Sequence, residues 1–395
     1  MRIRKLQIAV MSMIVFCGGF FSGVLYSNHN SQLKAEDIKE AQRTPKKDNE
    51  KQERSTIPEQ EQKSETEQSK VLMGYVQDFR DPNIVNYEDL THIIFSFAHP
   101  AKDGSLLFNG DTAIGNLQTI VAQAHEQDTK VMLAIGGWYH IQGGESYDYF
   151  KEAISNPAAR ARLVTELEGI AAREQLDGID IDFEHPRTAE DARNLAVFIH
   201  DLYGKLHSQD KELSIAVNAK VHSVAGTEIH NVIYEPAMFQ DVDYVNIMAY
   251  DGQWDGGYNA ANLAPYHHVE NIVHYWSNLF DSHQIAKEKL ILGVPFYAQP
   301  EDPNSKQISY AAIINQSSDN ASQDTVVMNG TTYHYNGMET VRRKTKLALD
   351  NSFGGMMLWE AGHDSNSAQS LTAAISASLE EEQKYPLHAN RETES

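Results

Sequence analysis

An α/β fold, a (β/α)8 TIM barrel, is what this sequence predicts, and two patterns carry that reading. Eight short apolar runs rich in Val, Ile, Leu and Phe alternate with segments of helical spacing from Val71 onward, as the βα units of a closed parallel barrel require. The fourth run ends in Asp177-Gly178-Ile179-Asp180-Ile181-Asp182-Phe183-Glu184. Side chains alternate across a strand, so Gly178, Asp180, Asp182 and Glu184 share one face while Ile179, Ile181 and Phe183 share the other. An open doubly wound sheet would carry a glycine-rich phosphate loop after an early strand, and neither Gly74 nor Gly136-Gly137 lies in a GxGxxG pattern.

The chain opens with Arg2, Arg4 and Lys5, followed by a nearly uncharged apolar run over 6–26. A run of about 20 such residues is long enough to span a bilayer, and its basic flank favours the inside. Residues 1–27 therefore read as an export signal or a membrane anchor, which places the rest outside the cell. No small-residue cleavage pattern follows, and bulky Phe16 before Cys17 argues against lipid attachment there. Anchored and released forms both stay open. Residues 28–70 are Lys, Glu, Gln, Ser and Asn with almost no aliphatic content; such a composition buries too little surface to offset ordering entropy and reads as a disordered linker.

The folded region is placed at 71–380, and 381–395 as a flexible, solvated tail. Its strands are read at 71–76, 92–97, 130–135, 177–183, 213–218, 244–249, 289–296 and 354–359. Helical spacing marks 114–126, 158–173, 189–206, 266–280 and 338–349, and right-handed crossovers connect such units. The stretch 298–336 is too long for a plain connection and has turn and strand signals of its own, such as Asn329-Gly330 before Thr331. It reads as a small insertion between strands seven and eight that walls one side of the cleft.

Of 33 basic and 55 acidic side chains, 12 and 10 fall in the first 70 residues, so 21 basic and 45 acidic remain in the folded part. That balance argues against nucleic acid or anionic lipid as the ligand and suits a neutral one. The single cysteine, Cys17, lies in the apolar run, so the fold depends on its core and not on disulfides. A monomer is expected.

In barrels of this kind the active site lies at the C-terminal ends of the strands. Glu184 ends the fourth strand, Gly136-Gly137-Trp138 ends the third, Met248-Ala249-Tyr250-Asp251 follows the sixth and Trp359-Glu360 ends the eighth. Three acids packed on one inward face repel one another and lose solvation. Packing alone would not select them; a site that uses shifted pKa values would. Gly178 allows close packing in a narrow interior, and Asp177, off the inward face by parity, is read as structural. Trp138, Trp254 and Trp359 fall at or beyond strand ends, where an indole with a polar edge can stack on a sugar ring.

DGIDIDFE fits the signature DxxDxDxE, with Asp177, Asp180, Asp182 and Glu184 in its defined positions. On these residues the chain resembles glycoside hydrolase family 18, the chitinases and their relatives. The resemblance extends to Gly74-Tyr75, Phe95-Ser96-Phe97, Ile135-Gly136-Gly137-Trp138, the Met248, Tyr250, Asp251 set, the run 293–297 and Trp359. It implies a secreted or tethered retaining endoglycosidase that cleaves β-1,4 bonds at N-acetylglucosamine, with the substrate supplying its own nucleophile. Glu184 would be the acid and base. Asp182 would hold the acetamide N–H, Asp180 would share a proton with Asp182, and Tyr250 would bond the acetamide carbonyl. Tyr75, Phe97, Gly137, Trp138, Met248 and Asp251 would line the sugar site over a floor made by Trp359. No cofactor and no metal are implied. The partner would be a polysaccharide or glycan containing N-acetylglucosamine, most simply chitin.

Two departures stand out. The usual SxGG has Ala134 in its first position, which removes a hydroxyl that would support the innermost acid. The usual FYGR becomes Phe296-Tyr297-Ala298-Gln299, which removes a cation on the leaving-group side. Rival readings are an endo-β-N-acetylglucosaminidase acting on N-glycans or cell-wall glycan, and a chitin-binding lectin, against which the presence of Glu184 speaks. A third is a hydrolase using the acids as Mg²⁺ ligands, which activity surviving EDTA would remove.

Overall fold

The computed structural model describes residues 69–220 and 229–384. The apolar run 6–26, nearly all of the linker and the residues after 384 lie outside the described residues. Among the described residues no helix is long and apolar enough to cross a membrane.

In chain order the strands are β1 (Val71–Gln77), β2 (His92–Pro100), β3 (Leu106–Leu107), β4 (Lys130–Gly136), β5 (Gly178–Asp182), β6 (Glu212–Asn218), β7 (Tyr244–Met248), β8 (Leu290–Pro295), β9 (Tyr297–Pro300), β10 (Ile308–Ser309), β11 (Thr325–Met328), β12 (Thr331–His334) and β13 (Gly355–Trp359). The helices are α1 (Gly110–His125), α2 (Ser146–Ser155), α3 (Pro157–Arg173), α4 (Ala189–His207), α5 (Tyr266–His283), α6 (Tyr310–Gln316), α7 (Met338–Asp350) and α8 (Leu371–Lys384). Strands β1, β2, β4, β5, β6, β7, β8 and β13 pair in that order, all parallel, and β1 pairs with both β2 and β13, so the barrel closes. Closure leaves no edge, which is why these strands can be buried on both faces.

Two cores result. Outward residues such as Ile179, Ile181 and Phe183 pack with helical Leu163, Leu195 and Phe198. Inward residues including Met73, Tyr75, Ile94, Met132, Tyr244, Ile291 and Met357 fill the barrel. The interior is narrow at β5. A Cβ on Gly178 would stand 2.5 Å from the Glu212 carbonyl oxygen and 2.7 Å from the Met132 methyl, so only glycine fits. Asp177 faces away from the site, its Oδ2 accepting from Val131 N at 2.7 Å and from His125 at 2.8 Å. It ties the end of α1 to the start of β4.

Helix starts are set locally. Asn156 caps α3 ahead of Pro157, and Thr188 with Asp191 closes a capping box on α4. Helices α2, α6 and α8 were not read from the sequence, and α8 runs on to Lys384, beyond the residue 380 boundary. Between β8 and β13 the chain builds a four-stranded antiparallel sheet, ordered β10-β9-β12-β11, together with α6 and α7.

Candidate active site

The inward face of β5 carries the acids up the barrel axis. Asp180 is fully buried, and its neighbours by register are Ala134 on β4 and Ser214 on β6. The hydroxyl missing at Ala134 is supplied from the other flank: Ser214 Oγ donates to Asp180 Oδ1 at 2.5 Å. Asn246 Nδ2 donates to the same oxygen at 3.2 Å, and Tyr75 Oη donates to Oδ2 at 2.8 Å. Burial pushes the Asp180 carboxyl up to about 6, and these three donors hold it from rising further.

Asp182, one step up, is also buried, yet its Oδ1 has no hydrogen-bond partner among the described residues. Burial, then the charges of Glu184 and Asp180, raise its carboxyl well above the ordinary range. A buried polar atom without a partner is uncommon in folded proteins, and a catalytic role is one of its recognised causes. Glu184 stands just past the strand end, where part of its surface remains open to solvent. Desolvation, then the charge of Asp251, pushes it up to about 7, so it holds a proton near neutrality.

Asp251 follows β7 in a left-handed backbone conformation, φ 64°. It accepts from Tyr297 Oη at 2.5 Å and Gln253 Nε2 at 2.9 Å. Tyr250 is half-buried, its hydroxyl 3.8 Å from Met357 Sδ, and burial followed by the Asp251 charge keeps it protonated. Trp359 lies with its ring centroid 5.4 Å from Tyr75 and 5.9 Å from Phe97, nearly parallel to the latter. Gly137, at φ 78°, passes close beneath Phe97: a Cβ there would stand 2.9 Å from the ring. Met248, Phe97, Tyr250 and Trp359 form one partly open apolar layer on top of the inner core. Trp138 and Trp254 are exposed on the loops after β4 and β7, at 42% and 62%.

The expected residues thus gather at one end of the barrel, except for Asp177 and Gly178, which sit at the foot of β5. Two residues that hold the innermost acid have no counterpart in the sequence reading. Ser214 and Asn246 hold Asp180, and the parity of β6 and β7 would have put both on the inward face. Glu360, directly after Trp359, is buried and paired with Arg80 from the loop after β1, which also approaches His363 at 2.7 Å. Gln299 is buried and donates through Nε2 to Tyr258 Oη.

The arrangement provides one clamped carboxyl, one desolvated carboxyl with an open acceptor and one carboxyl that is protonated near neutrality. It can deliver a proton and stabilise a nearby positive charge. Among the described residues no group of three or more His, Cys, Asp or Glu is placed to hold a metal ion.

A family model described as "Glycosyl hydrolases family 18" matches residues 61–364. "Probable chitinase 10" of Drosophila melanogaster is 26% identical over 255 residues, covering 58% of this chain and 11% of that protein. "Chitinase 1" of Aphanocladium album is 26% identical over 245 residues, covering 53% of this chain and 55% of the relative. The chain therefore spans about a tenth and about half of these two relatives. A solved chitinase from the chitin utilization locus of Flavobacterium johnsoniae superposes with a TM-score of 0.65 at 24% identity, over 79% of this chain and 94% of the other, a likeness of fold.

Proposed function

Since the chain belongs to the glycosyl hydrolases of family 18, and is therefore a glycoside hydrolase, we propose that it cleaves β-1,4 bonds beside N-acetylglucosamine in chitin, retaining the anomeric configuration. The observation that carries this reading is the division of labour along β5: Asp180 fixed by three donors, Asp182 with an unpartnered buried oxygen, and Glu184 protonated up to about pH 7.

Glu184 gives its proton to the glycosidic oxygen as the bond to the anomeric carbon breaks. The carbonyl oxygen of the sugar's own 2-acetamido group attacks that carbon, forming an oxazolinium ion. Asp182 Oδ1, lacking a donor in the protein, accepts the acetamide N–H, and its negative charge balances the cation. Tyr250 donates its hydroxyl to the acetamide oxygen. Trp359 floors the distorted ring, with Tyr75, Phe97, Gly137 and Met248 around it; Asp251 borders it, and Trp138 extends the sugar path. Glu184, now ionised, takes a proton from the incoming water, which opens the ring and restores the acid. Asp180, held by its three donors, shares a proton with Asp182, which lets Asp182 carry the negative charge when the cation forms. We propose further that the segment before residue 71 exports or tethers the domain outside the cell, where such polymers occur.

Digestion of chitohexaose beside a high-mannose glycoprotein, read by mass spectrometry, tests the assignment. Shorter chito-oligosaccharides from the hexamer are expected, and none with Glu184→Gln. Release of glycan from the glycoprotein alone would overturn chitin as the substrate.

A further inference from the structure

Gln299 stands where the family pattern has an arginine, and its side chain is buried in a chain of amides and hydroxyls. Its Oε1 accepts from Gln307 Nε2 at 2.7 Å and its Nε2 donates to Tyr258 Oη at 2.8 Å. The Tyr258 hydroxyl in turn donates to the Pro300 carbonyl. A carbonyl can only accept, so the tyrosine proton is committed there, and Tyr258 must accept from Gln299; this fixes which way the Gln299 amide faces. Gln299 is 4% exposed.

The relay ends on an aromatic pair. Tyr258 lies 4.9 Å from the Trp254 ring, centroid to centroid, and Trp254 is 62% exposed. Between them Gly256 and Gly257, at φ 72° and 119°, fold the loop back so that the two rings meet. The Trp254 backbone belongs to a short 3₁₀ turn, Gly252–Trp254, that begins beside Asp251. Its indole has little buried surface of its own and lies against the Tyr258 ring, which is held through its hydroxyl by Gln299 and the Pro300 carbonyl.

We propose that Gln299 is a positioning residue: through Tyr258 it sets the sugar-stacking face of Trp254 and so the preference of the cleft for long glycans over short ones. This rests on the function proposed above. The arginine of the family pattern is here replaced by a neutral relay that stiffens an aromatic platform, and the antiparallel sheet between β8 and β13 contributes to substrate selection without touching substrate through Gln299.

The test uses Gln299→Met, which keeps length and removes the donor, and Tyr258→Phe, which keeps the ring and removes the hydroxyl, and with it both the acceptor for Gln299 and the bond to the Pro300 carbonyl. Chitohexaose affinity is measured by calorimetry with each change added to Glu184→Gln, so that binding is read without turnover; folding is checked by circular dichroism. Each change is expected to weaken hexamer binding about tenfold, or about 1.4 kcal/mol. The double variant should be no worse than Tyr258→Phe alone, since that change already removes the contact that Gln299→Met breaks. With Glu184 intact, turnover of 4-nitrophenyl N,N′-diacetylchitobioside should stay within about twofold, against the roughly tenfold loss for the hexamer. Equal losses on short and long substrates, additive effects, unchanged hexamer affinity or no hexamer binding at all would each overturn the proposal. Weakened hexamer binding in a protein that hydrolyses neither substrate would support the relay while removing the proposed reaction.

Discussion

Glu184→Gln should make the protein more stable at pH 8 and leave it unchanged at pH 4. Desolvation, with the charge of Asp251 added, moves the Glu184 carboxyl from an ordinary 4.5 to about 7. Below about pH 4 the group is protonated folded and unfolded, so it contributes nothing to the difference. Between 4.5 and 7 the unfolded chain releases a proton that the native state keeps, and stability falls as pH rises. Above 7 the group is ionised in both states, and the native state bears the full penalty. At about 1.36 kcal/mol per tenfold change in acidity, that penalty is about 3 kcal/mol at pH 8. Glutamine fills the same space and does not titrate. With an unfolding entropy of about 2.1 cal/mol/K per residue over roughly 300 folded residues, the variant should melt about 5 °C higher at pH 8. Calorimetric scans at one rate, at pH 4 and pH 8, measure it. A gain of the same size at both pH values would be a packing effect, and a gain at neither would refute the assigned environment of Glu184.

Three further outcomes are expected. The alkaline limb of kcat/KM should lie near pH 7, and Asp251→Asn, by removing the charge that supports protonation of Glu184, should move that limb to lower pH; an unmoved limb counts against this coupling. Ser214→Ala deletes one of the three donors to Asp180, so Asp180 becomes harder to ionise: kcat should drop at least about tenfold and the acid limb should move upward, as a pH–rate series would reveal. Lys344, buried with its Nζ donating to Ala264 O and Asn336 Oδ1, has its ammonium lowered by burial to about 7. Its burial penalty is therefore full below pH 7 and is relieved as pH rises toward its unfolded value, so in urea unfolding the wild type should gain on Lys344→Met between pH 7 and 10. A pH-independent difference would show that the amine is not the titrating group.

The barrel was legible because its signal is local. Alternation over 178–184 alone assigns Asp180, Asp182 and Glu184 to one face, and the alternation of strands with helical spacing gives the order around the barrel. Residues that depend on which strand lies beside which were not legible in the same way. Ser214 and Asn246 meet Asp180 only because β6 pairs with β5 and β7 with β6 in one particular register; the loss of a hydroxyl at Ala134 was readable, whereas its replacement from the opposite flank was not. Gln299 shows the same limit, since its neighbours Tyr258 and Gln307 come from a loop after β7 and a turn of the antiparallel sheet. Helix α2 escaped notice because only Asn156 separates it from α3, so two short helical patterns merge into one ambiguous stretch. In α8 the apolar face of Leu371, Ile375 and Leu379 precedes a run of glutamates, and the acids masked a helix end that packing holds.

The central claim is that the acids of β5 act on a sugar that supplies its own nucleophile. It is tested most directly by proton NMR of the first products released from chitohexaose, recorded before mutarotation. Double displacement through an oxazolinium ion requires the β-anomer to appear first, with the α-anomer growing in later. Initial release of the α-anomer would contradict the account, because it would mean that water, and not the acetamide, attacks the intact bond.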